Sequence, residues 1–198
     1  MLRVGFDVDG VLARFNHAYA NVLISTSGVN KFGEPAETIF TDTEPNEWCY
    51  DKAAGYTKEE RNAAWDNLCA DPLFWLMLPM TRDEASLRHR AHCLTKLNDV
   101  YFITNRSGVN AKWQTEIWLE RNFGIRFPTV LLSATKGAVC RALSLDCYID
   151  DKAENIHSVV GLASTRAYLL DKPYNRTFIG NTHTRVSSLE EFFVHEGL

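Results

Sequence analysis

Short apolar runs alternate with helical patterns along most of the chain, and this alternation constrains the fold more than any other feature. Five runs rich in β-branched and aromatic residues predict buried strands, at Leu2–Val8, Val100–Thr104, Thr129–Leu132, Cys147–Ile149 and Arg166–Leu170. Helical patterns lie between and after them, at about Asp83–Leu97, Ala111–Phe123, Gly137–Leu143, Ala153–Leu162 and Ser187–Val194. Strands that alternate with helices of this length are typical of βαβ units. We therefore predict an α/β fold with a mostly parallel, Rossmann-like sheet.

The stretch from Phe15 to Pro79 breaks this alternation. It contains several glycines and prolines, a capping-box pair at Thr57 and Glu60, and a second helix start at Asp71-Pro72. It is too long for a loop and too small for an independent domain. We predict a mainly helical cap over residues 15–79, inserted after the first strand, with residues 1–14 and 80–198 forming the core.

Composition excludes several classes of protein. A chain of 198 residues suits one compact domain, and a net charge of −4 argues against a protein that coats extended nucleic acid. The five cysteines include no C-x-x-C pair, so we expect buried, reduced thiols in a cytoplasmic protein rather than a zinc site or disulfides. The most apolar run, Leu73 to Leu78, is far shorter than the ~20 residues that span a bilayer.

Two pairs of aspartates follow predicted strands. Asp7 and Asp9 stand two residues apart at the end of the first strand, so both side chains leave on the same side, and Gly10 lets the chain turn away. Asp150 and Asp151 end the fourth strand. Carboxylates that converge from two strand ends form an oxygen-rich site suited to Mg²⁺. The alternative for the second pair is the N-cap of the following helix.

Two further strand ends carry groups that bind phosphate. Thr104 ends the second strand, and Asn105 and Arg106 follow it before a helix whose free N–H groups suit phosphate oxygens. Lys136 opens the next helix, where its charge can hold both a phosphate and a carboxylate. A carboxylate nucleophile, a metal, a hydroxyl and a lysine are the parts that phosphoryl transfer needs. A polar strand end and a solvated lysine are the alternatives.

In order and spacing, Asp7-Val-Asp-Gly10, Thr104, Lys136 and Asp150-Asp151 resemble the four motifs of the haloacid dehalogenase (HAD) superfamily of phosphatases. The resemblance implies a three-layer core in which Asp7 is the nucleophile and forms an aspartyl-phosphate. It makes Asp9 the general acid and then the base. It implies that Mg²⁺ is held by the Asp7 side chain, the Asp9 carbonyl and one aspartate of the second pair, with Asp151 favoured and Asp150 supporting it.

The flanking residues resemble a narrower family, the 5′(3′)-deoxyribonucleotidases. Gly10-Val-Leu-Ala-Arg-Phe15 is similar to the opening of that family, where a phenylalanine packs on the nucleobase. Asp71-Pro-Leu-Phe-Trp-Leu-Met-Leu-Pro79 resembles its aromatic cap exit. Phe15, Trp48 and Trp75 are then candidates for a wall that stacks on a base, and packing within the cap is the alternative for them. The family tends to carry an acid where Arg14 stands and a serine where Asn105 stands, which leaves the substrate open.

Together these features predict a Mg²⁺-dependent phosphatase whose substrate is a small phosphomonoester, preferably a nucleoside monophosphate. Two alternatives remain. The first is the same chemistry on a 3′-phosphate end of a polynucleotide or on a sugar phosphate. The second is a non-catalytic member that binds nucleotides or a protein partner, although Asp7, Asp9 and Lys136 are all present. The sequence leaves a homodimer open.

Overall fold

The computed structural model describes residues 1–41, 43–81, 84–180 and 182–198, apart from the side chains of residues 84–87 and 92. Its centre is a six-stranded sheet with the order β3-β2-β1-β4-β5-β6. The strands are β1 Arg3–Phe6, β2 Asp99–Thr104, β3 Thr129–Leu132, β4 Cys147–Asp150, β5 Arg166–Leu170 and β6 Thr184–Val186. Every neighbouring pair is parallel. The predicted parallel α/β sheet is confirmed, and β6 is a strand that the sequence did not reveal.

Helices cover both faces of this sheet. They are α4 Glu84–Leu97, α5 Ala111–Phe123, α6 Lys136–Leu143, α7 Ala153–Leu162 and α8 Leu189–Glu196. Three further helices, α1 Phe15–Ser27, α2 Tyr50–Ala53 and α3 Lys58–Ala70, lie in the segment between β1 and α4. Along β4 the side chains alternate, so that Tyr148 packs with Ile156 of α7 on one face and Ile149 packs in the cluster of Phe192 of α8 on the other. Because both faces are covered, β1 to β5 consist mainly of apolar residues, which is the pattern that made them recognisable in the sequence.

The segment between β1 and α4 leaves and re-enters the core at one point. The Arg14 N–H donates to the Pro79 carbonyl at 2.8 Å, and the Thr81 N–H donates to the Leu12 carbonyl at 2.9 Å. Its described residues form α1, α2, α3 and turns, without a strand of their own. The Thr57 hydroxyl and the Glu60 carboxylate form the predicted capping box at the start of α3. The division into a cap over 15–79 and a core stays a prediction.

Two local predictions differ from the structure. The chain after Asp71-Pro72 forms turns instead of a helix, because the backbone amides of Trp75 and Leu76 both donate to the side-chain oxygen of Gln114 on α5. The cysteines are free thiols, as expected, but only two of the five are buried, and Cys49 and Cys93 are exposed. The predicted first residue of α4, Asp83, lies outside the described residues. In the part of the chain that the structure describes, none of the helices is long and apolar enough to cross a bilayer.

Candidate active site

Asp7 lies at the carboxyl edge of the sheet, directly after the central strand β1. Its amide donates to the Ile149 carbonyl of β4 at 2.9 Å, which fixes the backbone, and its side chain is nearly buried. One carboxylate oxygen, Oδ1, accepts hydrogen bonds from the Lys136 Nζ at 2.9 Å and from the Val8 N–H at 2.8 Å. Lys136, the first residue of α6, is also buried and donates to the Ile103 carbonyl of β2. The structure therefore brings together the predicted nucleophile and the predicted lysine.

Asp150 and Asp151 converge with Asp7 in one buried cluster. One oxygen of each of the three side chains lies within 4.8 Å of the others. The Gly10 turn allows this approach, since its φ is +79° and a Cβ there would stand 2.0 Å from Oδ2 of Asp151. Glycine adopts that left-handed conformation without a steric cost. Besides forming the turn, Gly10 thus has a second role, which is to leave room for the Asp151 carboxylate.

The two aspartates of the second pair have different surroundings. Both oxygens of Asp150 accept hydrogen bonds from the protein: from the Tyr148 hydroxyl at 2.7 Å, the Lys152 N–H at 2.8 Å and the Asn155 amide at 3.1 and 3.0 Å. Among the described residues, only the Tyr174 hydroxyl donates to the Asp151 carboxylate, and the oxygen that accepts is Oδ2. Oδ1 of Asp151 is therefore the more available oxygen of the pair.

The electrostatics of the cluster call for a cation. Burial raises the pKa of Asp7 from 3.8 to about 7, against the opposing effect of Lys136, and the charges of Asp150 and Asp9 raise it further. Burial likewise raises the pKa of Asp150, and burial together with the charge of Asp150 raises that of Asp151. A single lysine does not balance three buried carboxylates. Their donor set consists only of oxygens, which fits Mg²⁺.

Asp9 lies beside this cluster and is held by two other residues. Arg106 forms a bidentate ion pair with it, with Nη2 2.8 Å from Oδ1 and Nε 3.0 Å from Oδ2. The Thr104 hydroxyl donates to Oδ2 at 3.2 Å. The guanidinium of Arg106 is fully buried, whereas 22% of the Asp9 side chain is exposed. The carboxylate therefore opens toward the site while its partner lies behind it.

The predicted phosphate-binding residues thus have mixed placements. Lys136 contacts Asp7, and the hydroxyl of Thr104 and the guanidinium of Arg106 both point to Asp9. Asn105 is exposed. Phosphate binding by these four residues stays a prediction.

Two of the three predicted stacking residues pack inside an aromatic cluster. Phe15 is stacked between Tyr19, with ring centroids 5.5 Å apart, and Trp75, at 5.8 Å. The opposite side of Trp75 carries the Arg106 guanidinium, 4.9 Å from the ring centroid. Trp75 is only 2% exposed. Stacking of a base on either ring would require one of these neighbours to move, and that role stays a prediction.

Trp48 is placed differently. It lies in a turn just before α2, and its side chain is 48% exposed. Its ring meets Tyr174 edge-on at 5.4 Å, and the Lys152 Nζ lies 4.6 Å from its centroid. Tyr174 in turn donates to Asp151, so the Trp48 indole contacts a residue that itself contacts the acidic cluster.

Sequence reasoning missed the groups that hold the carboxylates. Tyr148 and Asp150 are two apart on a strand and so share a face, a signal that was available in the sequence. For Tyr174 the only signal was its place in the segment directly after β5. Its contact with Asp151 arises from the path of that loop and leaves no periodicity in the sequence.

A cavity of about 220 Å³ lies between the turn after β1, residues 40, 41, 43 and 44, and the loops after β5 and β6. Its polar lining includes Arg14, Thr41, Thr43, Glu44, Lys172 and Ser188. An ion pair of 3.3 Å joins Lys172 to Glu44 and thereby links the loop after β5 to the inserted segment. The cavity has room for a small polar group.

Comparison with known proteins supports the fold. No family model and no curated protein matches the sequence. A haloacid dehalogenase-like hydrolase from Streptococcus pneumoniae has a TM-score of 0.58 at 10% identity over 98% of each chain. YfnB from Bacillus subtilis bound to magnesium has a TM-score of 0.57 at 16% identity, over 100% of this chain and 99% of that one. A mutant of CbbY from Rhodobacter sphaeroides in complex with xylulose-(1,5)bisphosphate has a TM-score of 0.56 at 15% identity over 96% of each chain.

These proteins match the chain over nearly its whole length, although fewer than one residue in five is identical. The relation to the 5′(3′)-deoxyribonucleotidases stays a prediction. The six-stranded parallel sheet, its helices on both faces and the acidic cluster at its carboxyl edge place this chain in the fold of the HAD hydrolases.

Proposed function

We propose that this protein is a Mg²⁺-dependent phosphomonoesterase that passes the phosphoryl group through Asp7. The observation that carries the proposal is the position of Asp7: it ends the central strand, touches Lys136 and shares a buried cluster with Asp150 and Asp151. A nucleophilic carboxylate, a lysine and an oxygen-only metal site in one place are what transfer of a phosphoryl group requires.

In the first step, a carboxylate oxygen of Asp7 attacks the phosphorus atom while the ester P–O bond breaks. Lys136 and the Val8 N–H occupy Oδ1, and none of the described residues donates to Oδ2, which is therefore the oxygen open to phosphorus. Asp9 gives its proton to the departing oxygen, so that the leaving group departs as an alcohol. The products of this step are the alcohol and an aspartyl-phosphate at Asp7.

In the second step, water attacks the phosphorus of the aspartyl-phosphate, and Asp9 takes the proton that the water loses. The acyl-phosphate bond breaks, Asp7 returns as a carboxylate, and inorganic phosphate is released. Asp9 ends the cycle protonated, ready for the next substrate. One residue can serve as acid and then base because it is on the same side of the reacting phosphorus in both steps.

The residues that would hold Mg²⁺ are the Asp7 and Asp151 side chains and the Asp9 carbonyl. Asp150 would orient the site, since its oxygens are already hydrogen-bonded to the protein. When bound, the ion neutralises charge on the transferring phosphoryl group.

We propose a nucleoside monophosphate as substrate, in keeping with the resemblance to deoxyribonucleotidases. The half-exposed indole of Trp48, close to Tyr174 and Asp151, supports this choice because it offers a surface on which a base can stack. A sugar phosphate is the second candidate. The polar cavity of about 220 Å³ favours it, since its hydroxyl and charged lining suits a polyhydroxylated leaving group.

A panel of phosphomonoesters with Mg²⁺ tests both levels of the proposal. It contains p-nitrophenyl phosphate, nucleoside 5′- and 3′-monophosphates, sugar phosphates and a 3′-phosphorylated oligonucleotide. Asp7→Asn keeps the shape of the side chain but removes the nucleophile, so we expect turnover to fall by several orders of magnitude. Asp99→Asn, at the opposite edge of the sheet, is the matched control and should keep full activity. Full activity in Asp7→Asn or in EDTA would refute the mechanism, and a wild type inactive on the whole panel would favour a non-catalytic protein.

A further inference from the structure

Arg106 is a buried cation beside the site, and the proposed reaction gives it no role. We propose that Arg106 is a positioning residue that fixes the carboxylate of Asp9 for proton transfer, and that it does not bind the phosphate of the substrate. This inference rests on the proposed function. It reassigns a residue that the sequence alone placed among the phosphate ligands.

The hydrogen bonds of Arg106 leave little for a phosphate. Nε and Nη2 donate to the two oxygens of Asp9, at 2.8 to 3.2 Å, and Nη1 donates to the Thr115 hydroxyl at 3.0 Å. Each of the three nitrogens therefore already has an acceptor. Because the Arg106 side chain has no solvent exposure, a phosphate oxygen would have to displace one of these neighbours to reach the guanidinium, and the bidentate pair with Asp9 is among the strongest hydrogen-bonded arrangements in proteins.

Two tryptophans lie against the guanidinium. Its central carbon lies 4.9 Å from the centroid of Trp75 and 5.6 Å from that of Trp118. Both indoles are themselves anchored, because Trp75 Nε1 donates to the Ser107 carbonyl at 2.9 Å and Trp118 Nε1 donates to the Leu78 carbonyl at 2.7 Å. Anchored rings in contact with a planar cation restrict the orientations that it can adopt. The hydrogen bonds to Asp9 and Thr115 then fix the direction of its hydrogen-bonding fork.

The solvent exposures of Arg106 and Asp9 show which of the two side chains a substrate can reach. The Arg106 side chain has no solvent exposure, whereas Asp9 keeps 22%. Thr104, also buried, adds a donor to Asp9 from β2. Arg106 and Thr104 thus hold the buried side of the Asp9 carboxylate, and its exposed side is available to a substrate. A substrate can meet Asp9 directly but meets Arg106 only through Asp9.

A positioning role and a phosphate-binding role predict different kinetics. If Arg106 orients Asp9, its loss lowers kcat most for substrates with poor leaving groups, which need a proton at the departing oxygen. Binding of inorganic phosphate should hardly change. If Arg106 binds phosphate, its loss raises KM and weakens inhibition by phosphate for every substrate alike.

The experiment compares Arg106→Lys with the wild type on an alkyl phosphomonoester and on p-nitrophenyl phosphate, with Mg²⁺ present. A lysine keeps the charge but has no fork, and misplacing a catalytic group by ~1 Å can cost about 100-fold. We expect kcat/KM for the alkyl ester to fall by about 100-fold, kcat/KM for p-nitrophenyl phosphate to fall by less than about 10-fold, and the inhibition constant of inorganic phosphate to stay within about 3-fold. We compare kcat/KM because it reports only the steps up to departure of the alcohol and excludes the second step, which is the same for both esters.

Two further variants keep the test decisive. Thr115→Val removes the acceptor of Nη1, together with the bond from the Thr115 hydroxyl to the Ala111 carbonyl within α5, and leaves the Asp9 pair in place. A smaller loss with the same dependence on the leaving group should therefore follow even if Arg106→Lys does not fold. Arg166→Lys changes a bidentate arginine–carboxylate pair, with Glu196, at the opposite edge of the sheet. It should keep wild-type kinetics on both substrates.

Three results would overturn the inference. They are a higher KM and a weaker inhibition by phosphate at constant kcat, an equal loss on both substrates accompanied by a lower melting temperature, and unchanged kinetics in a folded Arg106→Lys. A wild type that hydrolyses neither ester refutes the proposed function instead. The two failures are therefore distinguishable.

Discussion

Replacing Asp7 with asparagine should make the metal-free protein more stable at pH 8 and change its stability little at pH 4. The reason is the cost of charging Asp7 in the folded state, where its pKa is raised from 3.8 to about 7 by burial and by Asp150 and Asp9. Between pH 3.8 and about 7 the folded state binds more protons than the unfolded state does. The wild type therefore loses stability as the pH rises from about 4 to about 7, and a neutral asparagine does not.

The structure gives the size of this effect. A pKa that rises from 3.8 to about 7 corresponds to about 4 kcal/mol, at about 1.4 kcal/mol for each pKa unit. The gap between Asp7→Asn and the wild type should thus be small below pH 4 and approach about 4 kcal/mol at pH 8. For a chain of this length, such a difference shifts the melting temperature by roughly 10 °C.

Urea unfolding in EDTA at pH 4, 5.5 and 8 measures the gap directly, with Asp99→Asn as the control for losing an aspartate outside the cluster. Adding Mg²⁺ at pH 8 should stabilise the wild type more than Asp7→Asn, since a ligand that binds only the native state adds to its free energy of unfolding. A gap that is the same at pH 4 and pH 8 would refute the reasoning. It would mean that Asp7 ionises in the fold as easily as in the unfolded chain.

Other changes separate the roles of neighbouring groups. Gly10→Ala places a methyl group 2.0 Å from the Asp151 carboxylate and forces an alanine into a left-handed φ; we expect weaker Mg²⁺ binding by calorimetry and a loss of about 1–2 kcal/mol of stability, and unaltered Mg²⁺ affinity would count against Asp151 as a ligand. Trp48→Ala should lower kcat/KM for a nucleoside monophosphate by a factor equivalent to about 1–3 kcal/mol of stacking free energy, and it should leave kcat/KM for p-nitrophenyl phosphate unchanged. Phe15→Ala should instead lower the melting temperature by several degrees and reduce activity on both substrates, because its ring packs between two others; the opposite pattern would return the stacking role to Phe15.

The features that could be predicted from the sequence are those that rest on contacts along the chain. The parallel sheet followed from apolar runs alternating with helices, because strands buried on both faces are apolar throughout. Asp7, Lys136 and Asp150 each lie at a strand end or a helix start, where the carboxyl edge of a parallel sheet brings side chains together. To predict that these side chains meet therefore required only the correct order of strands and helices.

The features that only the tertiary structure decided depend on residues far apart in the sequence. Arg106 looked like a phosphate ligand because it follows Thr104, but its partner Asp9 is 97 positions away. The chain at Trp75 forms turns because Gln114, 39 positions later, binds its amide. Asp150 and Asp151 are neighbours with equal local signals, and what separates them is which hydrogen-bond donors the fold brings to each. Local patterns specify strands and helices, whereas the partners of a buried charge are set by packing between them.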